Sequence, residues 1–397
     1  MNPGLEKLHP YPFEKLANLL AGLPADPEFD LSIGEPKHQT PAFIVNTLVE
    51  QLNGLASYPK IIGDTNLREA IADWLKQRFK LIADIDPNSQ VLPVNGTREA
   101  LFAIAQCLVD THSDSLVLMP NPGYQIYEGA ALLSGGEPVY LPLLPELGFN
   151  PDYSAISNET WQRTRILYLC SPGNPCGGIT SIETLQQLIE LSNRHDFVIA
   201  ADECYSEIYP DESQPPAGLL EAAAQMGQDD FRNCLVFHSL SKRSNLPGMR
   251  SGFVAGDAQL ISTFRRYRTY HGCAMAPPFQ AASAAAWRDE NHVKLNRQLY
   301  REKFNSALAI LKDHSVRQPD GGFYLWLPTP IDDQEFTKAL YHQHRVKVIP
   351  GSFLGREQNG TNPASGYIRC ALVAEKTNCD QAIKRIAALL SSSQIPT

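Results

Sequence analysis

Lys242 stands among hydroxyls in Ser239-Leu240-Ser241-Lys242-Arg243-Ser244, and Arg250 follows in Gly248-Met249-Arg250-Ser251-Gly252. A lysine lodged among weakly polar groups gives up its proton more readily than one in water, and the neutral amine can condense with a carbonyl to a Schiff base. Hydroxyls and a planar guanidinium beside that amine suit a phosphate dianion. The chemistry suggested is a phosphorylated carbonyl compound, held covalently at Lys242 and ionically at Ser239, Ser241 and Arg250. The competing reading of a Lys-Arg pair is a solvated surface loop. Against it, Cys234-Leu235-Val236-Phe237 before the run and Ser251-Gly252-Phe253-Val254-Ala255-Gly256 after it read as short buried strands. Lys242 is thus expected at a strand end, where α/β proteins position their chemistry.

Other stretches supply complementary groups. In Asn95-Gly96-Thr97-Arg98-Glu99-Ala100-Leu101 a glycine turn directly precedes an apolar helix, so free N–H groups at Gly96, Thr97 and Arg98 and the positive end of the dipole can face an anion. Asp202 ends the apolar run Phe197 to Ala201 and opens Asp202-Glu203-Cys204-Tyr205. A buried carboxylate there would stabilise a protonated ring nitrogen. A lysine anchor, a phosphate cup and a ring-nitrogen carboxylate together suggest pyridoxal 5'-phosphate (PLP).

The run from Ser239 to Gly252 resembles the S-x-S-K…G-x-R-x-G signature of class I aminotransferases of the fold-type I PLP family. The likeness extends from about Ile33 to Leu390. It implies that Lys242 both anchors the cofactor and shuttles a proton, that Asp202 faces the pyridine nitrogen, and that Tyr205, three residues on as in D-x-x-Y, donates to the O3' oxygen. Asn174, in Asn174-Pro175-Cys176-Gly177, matches the N-P-x-G turn whose asparagine serves cofactor and substrate. Tyr124, in Asn121-Pro122-Gly123-Tyr124, takes the ring-stacking position. Tyr58, in Tyr58-Pro59-Lys60-Ile61-Ile62-Gly63, matches a tyrosine that reaches the phosphate of the neighbouring subunit, which implies a homodimer with shared sites. Arg369, in Gly366-Tyr367-Ile368-Arg369-Cys370, matches the arginine that grips the substrate carboxylate, and Gly34, in Ser32-Ile33-Gly34-Glu35-Pro36, the glycine whose N–H assists it.

Within the class, His9-Pro10-Tyr11-Pro12-Phe13-Glu14-Lys15-Leu16 and Leu92-Pro93-Val94-Asn95-Gly96-Thr97-Arg98 look most like bacterial N-succinyl-diaminopimelate aminotransferases. The resemblance implies transamination of N-succinyl-LL-2,6-diaminopimelate with 2-oxoglutarate in lysine biosynthesis, with His9 to Leu16 lying over the pocket as a lid. The dicarboxylate-reading arginine of aspartate aminotransferases is not evident ahead of Pro277-Pro278, where His271 and Met275 stand. Alternatives on the same fold are an aspartate, alanine or aromatic aminotransferase and a PLP β-lyase. A non-catalytic PLP-binding regulatory domain would need a winged-helix domain ahead of the fold, and too few residues precede Gly34 for one.

These residues must be held by elements the sequence also announces. At 397 residues and 43% hydrophobic, the chain can fill two cores. Short apolar runs, Leu116 to Met119, Ile166 to Leu169, Phe197 to Ala201, Leu235 to Phe237 and Phe253 to Ala255, alternate with helical patterns, which predicts a mostly parallel sheet with crossover helices. The expected architecture is an α/β fold: a large PLP-binding domain over 46–285 with a seven-stranded sheet, and a small α+β domain over 286–397 that includes the segment 1–45. Thr180-Ser181-Ile182-Glu183 reads as a capping box before a helix to about His195. Gln280 to Lys312 contains no Pro or Gly and reads as one connecting helix. The C-terminal part predicts strands at Phe323 to Leu327, Lys347 to Ile349 and Tyr367 to Cys370, a helix at Phe336 to His344, and a last helix to about Leu390.

A net charge of −9 leaves no basic footprint for nucleic acid, so amino acids and 2-oxo acids are the expected partners. No apolar leader or run long enough to span a membrane is present, so a cytoplasmic location is expected. Eight scattered cysteines without a C-x-x-C pair read as reduced, packed thiols, and His342-x-His344 lacks a partner at ligand spacing, so no metal site is expected.

Overall fold

The structure, a computed structural model, describes residues 3–23 and 26–392. Among the described residues twelve strands are formed: β1 (Phe29–Asp30), β2 (Val91–Val94), β3 (Leu116–Asn121), β4 (Glu137–Pro142), β5 (Thr164–Cys170), β6 (Val198–Asp202), β7 (Cys234–Ser239), β8 (Gly252–Gly256), β9 (Tyr324–Pro328), β10 (Val346–Lys347), β11 (Ile349–Pro350) and β12 (Tyr367–Ala371). Seven of them make the main sheet, in the order β2-β8-β7-β6-β5-β3-β4. Only β8 runs against the others, antiparallel to both β2 and β7. The sheet is therefore mostly parallel, and its inner strands are largely apolar because both faces are covered, whereas the edge strand β4 is only partly buried. Successive side chains go to opposite faces: Leu118, Leu167, Ile199 and Val236 join one core, and Val117, Ile166, Val198 and Leu235 join the other.

This topology sets the site. The C-terminal ends of β2, β3, β5, β6 and β7 and the start of the reversed β8 lie at one edge of the sheet, where the strand order leaves a crevice. From that edge come Gly96 and Thr97, Tyr124, Asn174, Asp202, Ser239 with Lys242, and Arg250.

A three-stranded antiparallel sheet, β11-β12-β9, and the short parallel pair β1·β10 pack with the Lys376–Leu390 helix around a separate core that includes Phe29, Leu325, Phe336, Ile368 and Ile383. The expected single strand at Lys347 to Ile349 is divided: Val346 and Lys347 pair with β1, and Ile349 and Pro350 pair with β12. The long helix expected from Gln280 to Lys312 is two helices, Pro277–Arg288 and Asn291–Ile310. Asp289 turns extended between them, its carboxylate accepting from the His292 N–H at 2.9 Å. Side-chain capping thus breaks a helix without Pro or Gly. Before Ile182–His195 the N-cap is Ser181, which accepts from Thr184 N–H at 3.2 Å; Thr180 lies one residue too early for the expected box.

Candidate active site

The crevice encloses a cavity of about 340 Å³ whose walls include Gly34, Thr97, Arg98, Tyr124, Asn174, Asp202, Tyr205, Ser239, Ser241, Lys242, Arg250 and Arg369. Residues predicted from widely separate parts of the sequence thus meet in one place. Gly96 lies just behind the wall, and Tyr58, fully exposed, is outside the cavity of its own chain.

Lys242 sits on the one-turn helix Leu240–Arg243 that follows β7. Its Nζ donates to the Gly34 carbonyl at 2.6 Å and lies 5.3 Å from the centre of the Phe323 ring. Burial draws its pKa down to about 8, with the nearby Arg369 and Arg250 acting in the same direction and Cys204 and Glu35 against it. At Gly34 the carbonyl is thus the group that meets Lys242. A Cβ at Gly34 would lie 1.9 Å from the Tyr324 hydroxyl, so only glycine lets this segment pass so close.

The residues expected to form the anion cup come from three elements. Gly96 caps the Thr97–Leu108 helix at φ 80°, a conformation open to glycine. A Cβ there would stand 2.3 Å from an Arg250 guanidinium nitrogen, so the missing side chain is what admits Arg250 to the helix start. Arg250 itself holds the left-handed conformation, φ 51°, and donates to the Pro247 carbonyl at 2.9 Å. Ser239 and Ser241 are buried with their hydroxyls 3.0 Å apart. The Arg98 backbone lies in the helix start as expected, and its guanidinium donates to the hydroxyls of two other lining residues, Tyr124 at 2.8 Å and Tyr11 at 2.9 Å.

Asp202, the last residue of β6, is buried; its carboxylate accepts from the Tyr127 hydroxyl at 2.7 Å and more weakly from Cys204 N–H at 3.3 Å. Burial pushes its pKa up, opposed by those hydrogen bonds and by His238. A cation is therefore the natural partner for this carboxylate. Tyr205 is buried with its hydroxyl 3.0 Å from that of Tyr324. Arg369 donates to Asn174 Oδ1 at 2.9 Å and to the Ser32 carbonyl at 2.8 Å, and its guanidinium lies over the Tyr324 ring at 4.4 Å. Each terminal nitrogen keeps a second hydrogen for a carboxylate, and its Nε is buried without a partner. With Oδ1 occupied by Arg369, Asn174 has its Nδ2 hydrogens left for the cavity.

Tyr11 and Phe13, from the segment expected over the pocket, line the cavity, and so do Gln125, Cys204, Tyr324 and Leu354, which carry no sequence signature of their own. Tyr127, behind Asp202, is another; its place three residues after Tyr124 is the one signal that points to it. The eight cysteines are unpaired, with Cys176, Cys234, Cys370 and Cys379 buried and Cys107, Cys170, Cys204 and Cys273 partly exposed. Glu99, His271 and Cys273 come within metal-ligand reach of each other, yet Glu99 already binds the buried Arg268 through both oxygens at 2.8 and 2.7 Å. Among the described residues no helix is long and apolar enough to cross a membrane.

These groups suit PLP: an amine whose pKa is drawn down to about 8, a guanidinium and two hydroxyls at a helix start, and a buried carboxylate in the same cavity. Known proteins point the same way. The model of the family "Aminotransferase class I and II" matches residues 26–386. The chain is 30% identical over 394 residues to an LL-diaminopimelate aminotransferase of Maridesulfovibrio salexigens, covering 97% of this chain and 98% of that protein. The structure superposes on a crystal structure of an aminotransferase from Neisseria meningitidis Z2491 with a TM-score of 0.94 at 45% identity, covering 98% of this chain and 100% of the other. A probable N-succinyldiaminopimelate aminotransferase from Thermus thermophilus, at 24% identity with 96% and 99% of the two chains covered, shares the fold with a TM-score of 0.83. The chain belongs to the class I and II aminotransferases, has their fold-type I architecture, and is a PLP-dependent aminotransferase.

Proposed function

We propose that this aminotransferase serves diaminopimelate and lysine synthesis, moving an amino group between glutamate and the free end of N-succinyl-LL-2,6-diaminopimelate, with 2-oxoglutarate as the reverse acceptor. The observation that carries the substrate reading is the charge of the outer cavity. Arg98 is held at the rim by Tyr124 and Tyr11, and the only carboxylate among the described lining residues is Asp202, at the floor. With its free α-amino end at Arg369, the succinylated compound presents an amide and two carboxylates to the rim, whereas unacylated LL-diaminopimelate presents an ammonium that meets no carboxylate there. The competing substrate is that free diamino acid, favoured by the names of curated relatives.

The chain's groups divide the work. Bound PLP supplies an electron sink for the electrons released at the substrate Cα. Lys242 Nζ anchors the cofactor and then acts as base and acid for the Cα proton. Asp202 would stabilise a proton on the cofactor's ring nitrogen, Tyr205 and Asn174 Nδ2 would donate to its ring oxygen, and Tyr124 would offer an aromatic face to the ring. Gly96, Thr97 and Arg98 N–H groups, Ser239, Ser241 and Arg250 hold the phosphate. Arg369, with Asn174 and Gly34 beside it, grips the substrate α-carboxylate. Tyr58 completes the phosphate site of a second copy in a homodimer, a reading supported by its full exposure beside exposed Phe43, Val45, Val49, Leu52 and Leu55. Residues 46–285 form the large domain, and 286–397 with 1–45 the small one; the separate cores and the β1·β10 pair support that division.

The deciding measurement is kcat/KM for N-succinyl-LL-diaminopimelate, LL-diaminopimelate, aspartate and alanine, each with 2-oxoglutarate. A preference of about a hundredfold or more over aspartate and alanine, roughly 2.7 kcal/mol in transition-state binding, is expected. Arg98→Met should erode the succinyl preference more than the half-reaction with glutamate. Equal or faster turnover of free LL-diaminopimelate would assign the enzyme to the unacylated substrate instead.

A further inference from the structure

Lys303 is 3% exposed, and no carboxylate of the described residues pairs with it. A buried ammonium without a counter-ion is tolerated only if every N–H finds an acceptor. Lys303 Nζ has three: His38 Nε2 at 2.6 Å and the carbonyls of Leu372 and Val373 at 3.2 Å each. Because Nε2 accepts, the His38 proton lies on Nδ1, which donates to Asn296 Oδ1 at 2.7 Å. Burial keeps His38 below the usual imidazole range, in keeping with a neutral ring. Asn296, 3% exposed, then directs its Nδ2 at the carbonyls of Lys242, 3.2 Å away, and Arg243, 3.3 Å away. Those carbonyls end the Leu240–Arg243 turn and have no intrahelical partners. Asn245 Nδ2 donates to the same Asn296 Oδ1 at 3.0 Å and so helps to fix the amide.

Every donor in this chain points the same way, from the ammonium to the backbone of Lys242. Its far end is anchored on Leu372 and Val373, which directly follow β12, the strand that carries Arg369. The middle member, His38, belongs to the same segment as Ser32 and Gly34, whose carbonyls accept from Arg369 and from Lys242 Nζ. We propose that Lys303, His38 and Asn296 are positioning residues that fix the Lys242 turn against the Arg369 strand, so that the amine and the carboxylate clamp keep one separation. The inference rests on the reading of Lys242 as the cofactor-bearing amine. A displacement of about 1 Å between such groups can change a rate by about a hundredfold.

The test uses the holoenzyme and the variants Asn296→Ala, His38→Phe, Lys303→Met and, as a packing control on the same helix, Leu308→Ala. Borohydride trapping followed by peptide mapping first locates the cofactor; a label away from Lys242 would refute the site reading and not the relay alone. With the label on Lys242, each relay variant should move the pH midpoint of the cofactor's visible band by about half a unit or more, and lower kcat about tenfold with KM for glutamate held within about twofold. His38→Phe combined with Lys303→Met should lose little more than either alone, since both cut one chain. Leu308→Ala should lower Tm and leave the band midpoint in place. Midpoints unchanged in folded relay variants, or a loss of kcat that follows Tm in all four proteins, would overturn the proposal. If a variant does not fold, nitrogen NMR of histidine-labelled wild-type holoenzyme still decides the matter: a proton on Nδ1 of His38 is required, and one on Nε2 overturns the relay.

Discussion

In the role proposed for it, Lys242 must be neutral to condense with a carbonyl yet remain a competent acid for the returning proton, and a pKa near 8 serves both. Its value in the folded protein is depressed from 10.5, so between about 8 and 10.5 the unfolded chain binds more protons than the folded one. Apo-protein stability from this group therefore rises with pH across that window and is missing below it. Stopped-flow addition of PLP to apo-protein should show a condensation rate that climbs with pH and levels off above about 8, and Lys242→Ala should form no borohydride-fixable link and lose transamination by about 10⁴-fold. Asp202→Ala should keep the cofactor but lose about 10²-fold or more in rate, while Arg250→Ala should chiefly weaken PLP retention, by equilibrium dialysis. Equal cofactor loss in both variants would contradict that division. Residue types at fixed local offsets made Lys242, Asp202, Arg250 and Arg369 readable from the sequence, because the chemistry demands those side chains beside those turns. Tyr127 and Tyr324 were not readable, since each meets its partner, Asp202 or Tyr205, across a long stretch of chain and a tyrosine has many uses.

At the level of elements, the close pairing of a glycine cap with a left-handed arginine is the joint most exposed to change. Gly96→Ala adds a Cβ 2.3 Å from the Arg250 guanidinium at a backbone φ of 80°. It should weaken PLP binding about tenfold or more and destabilise the apo-protein by about 1–2 kcal/mol, read by cofactor titration and chemical denaturation. Wild-type PLP affinity in that variant would mean that Arg250 does not close the cup. The main strands were legible because a doubly covered parallel sheet writes itself as apolar runs. The breaks were less so. The division of Gln280 to Lys312 depends on Asp289 capping through its side chain, and the division of Val346 to Pro350 depends on two partners, β1 and β12, one of them far away in sequence. Local patterns carry propensity, but a change of partner is a tertiary event.

For the whole molecule, the proposed shared-site homodimer gives Tyr58 a function its own chain does not supply. Tyr58→Phe should weaken PLP retention several-fold while light scattering still reports a dimer, the loss of one charge-assisted hydrogen bond. A wild-type monomer that binds PLP fully would remove the shared site. The four buried cysteines have a different use. Cys234 lies in β7 of the main sheet, whereas Cys370 in β12 and Cys379 in the last helix belong to the other core; Cys176 follows β5. Burial pushes the thiols of Cys234 and Cys370 far up, so neither reacts until its surroundings open. A mass-resolved pulse of alkylating reagent thus becomes a pair of clocks, one in each core. If the two units open independently, Cys370 and Cys379 acquire label together at a rate distinct from that of Cys234, and bound PLP, lodged at the edge of the main sheet, slows the Cys234 clock more than the other. One common rate, with and without PLP, would mean that the sheet and the C-terminal core open as a single cooperative body.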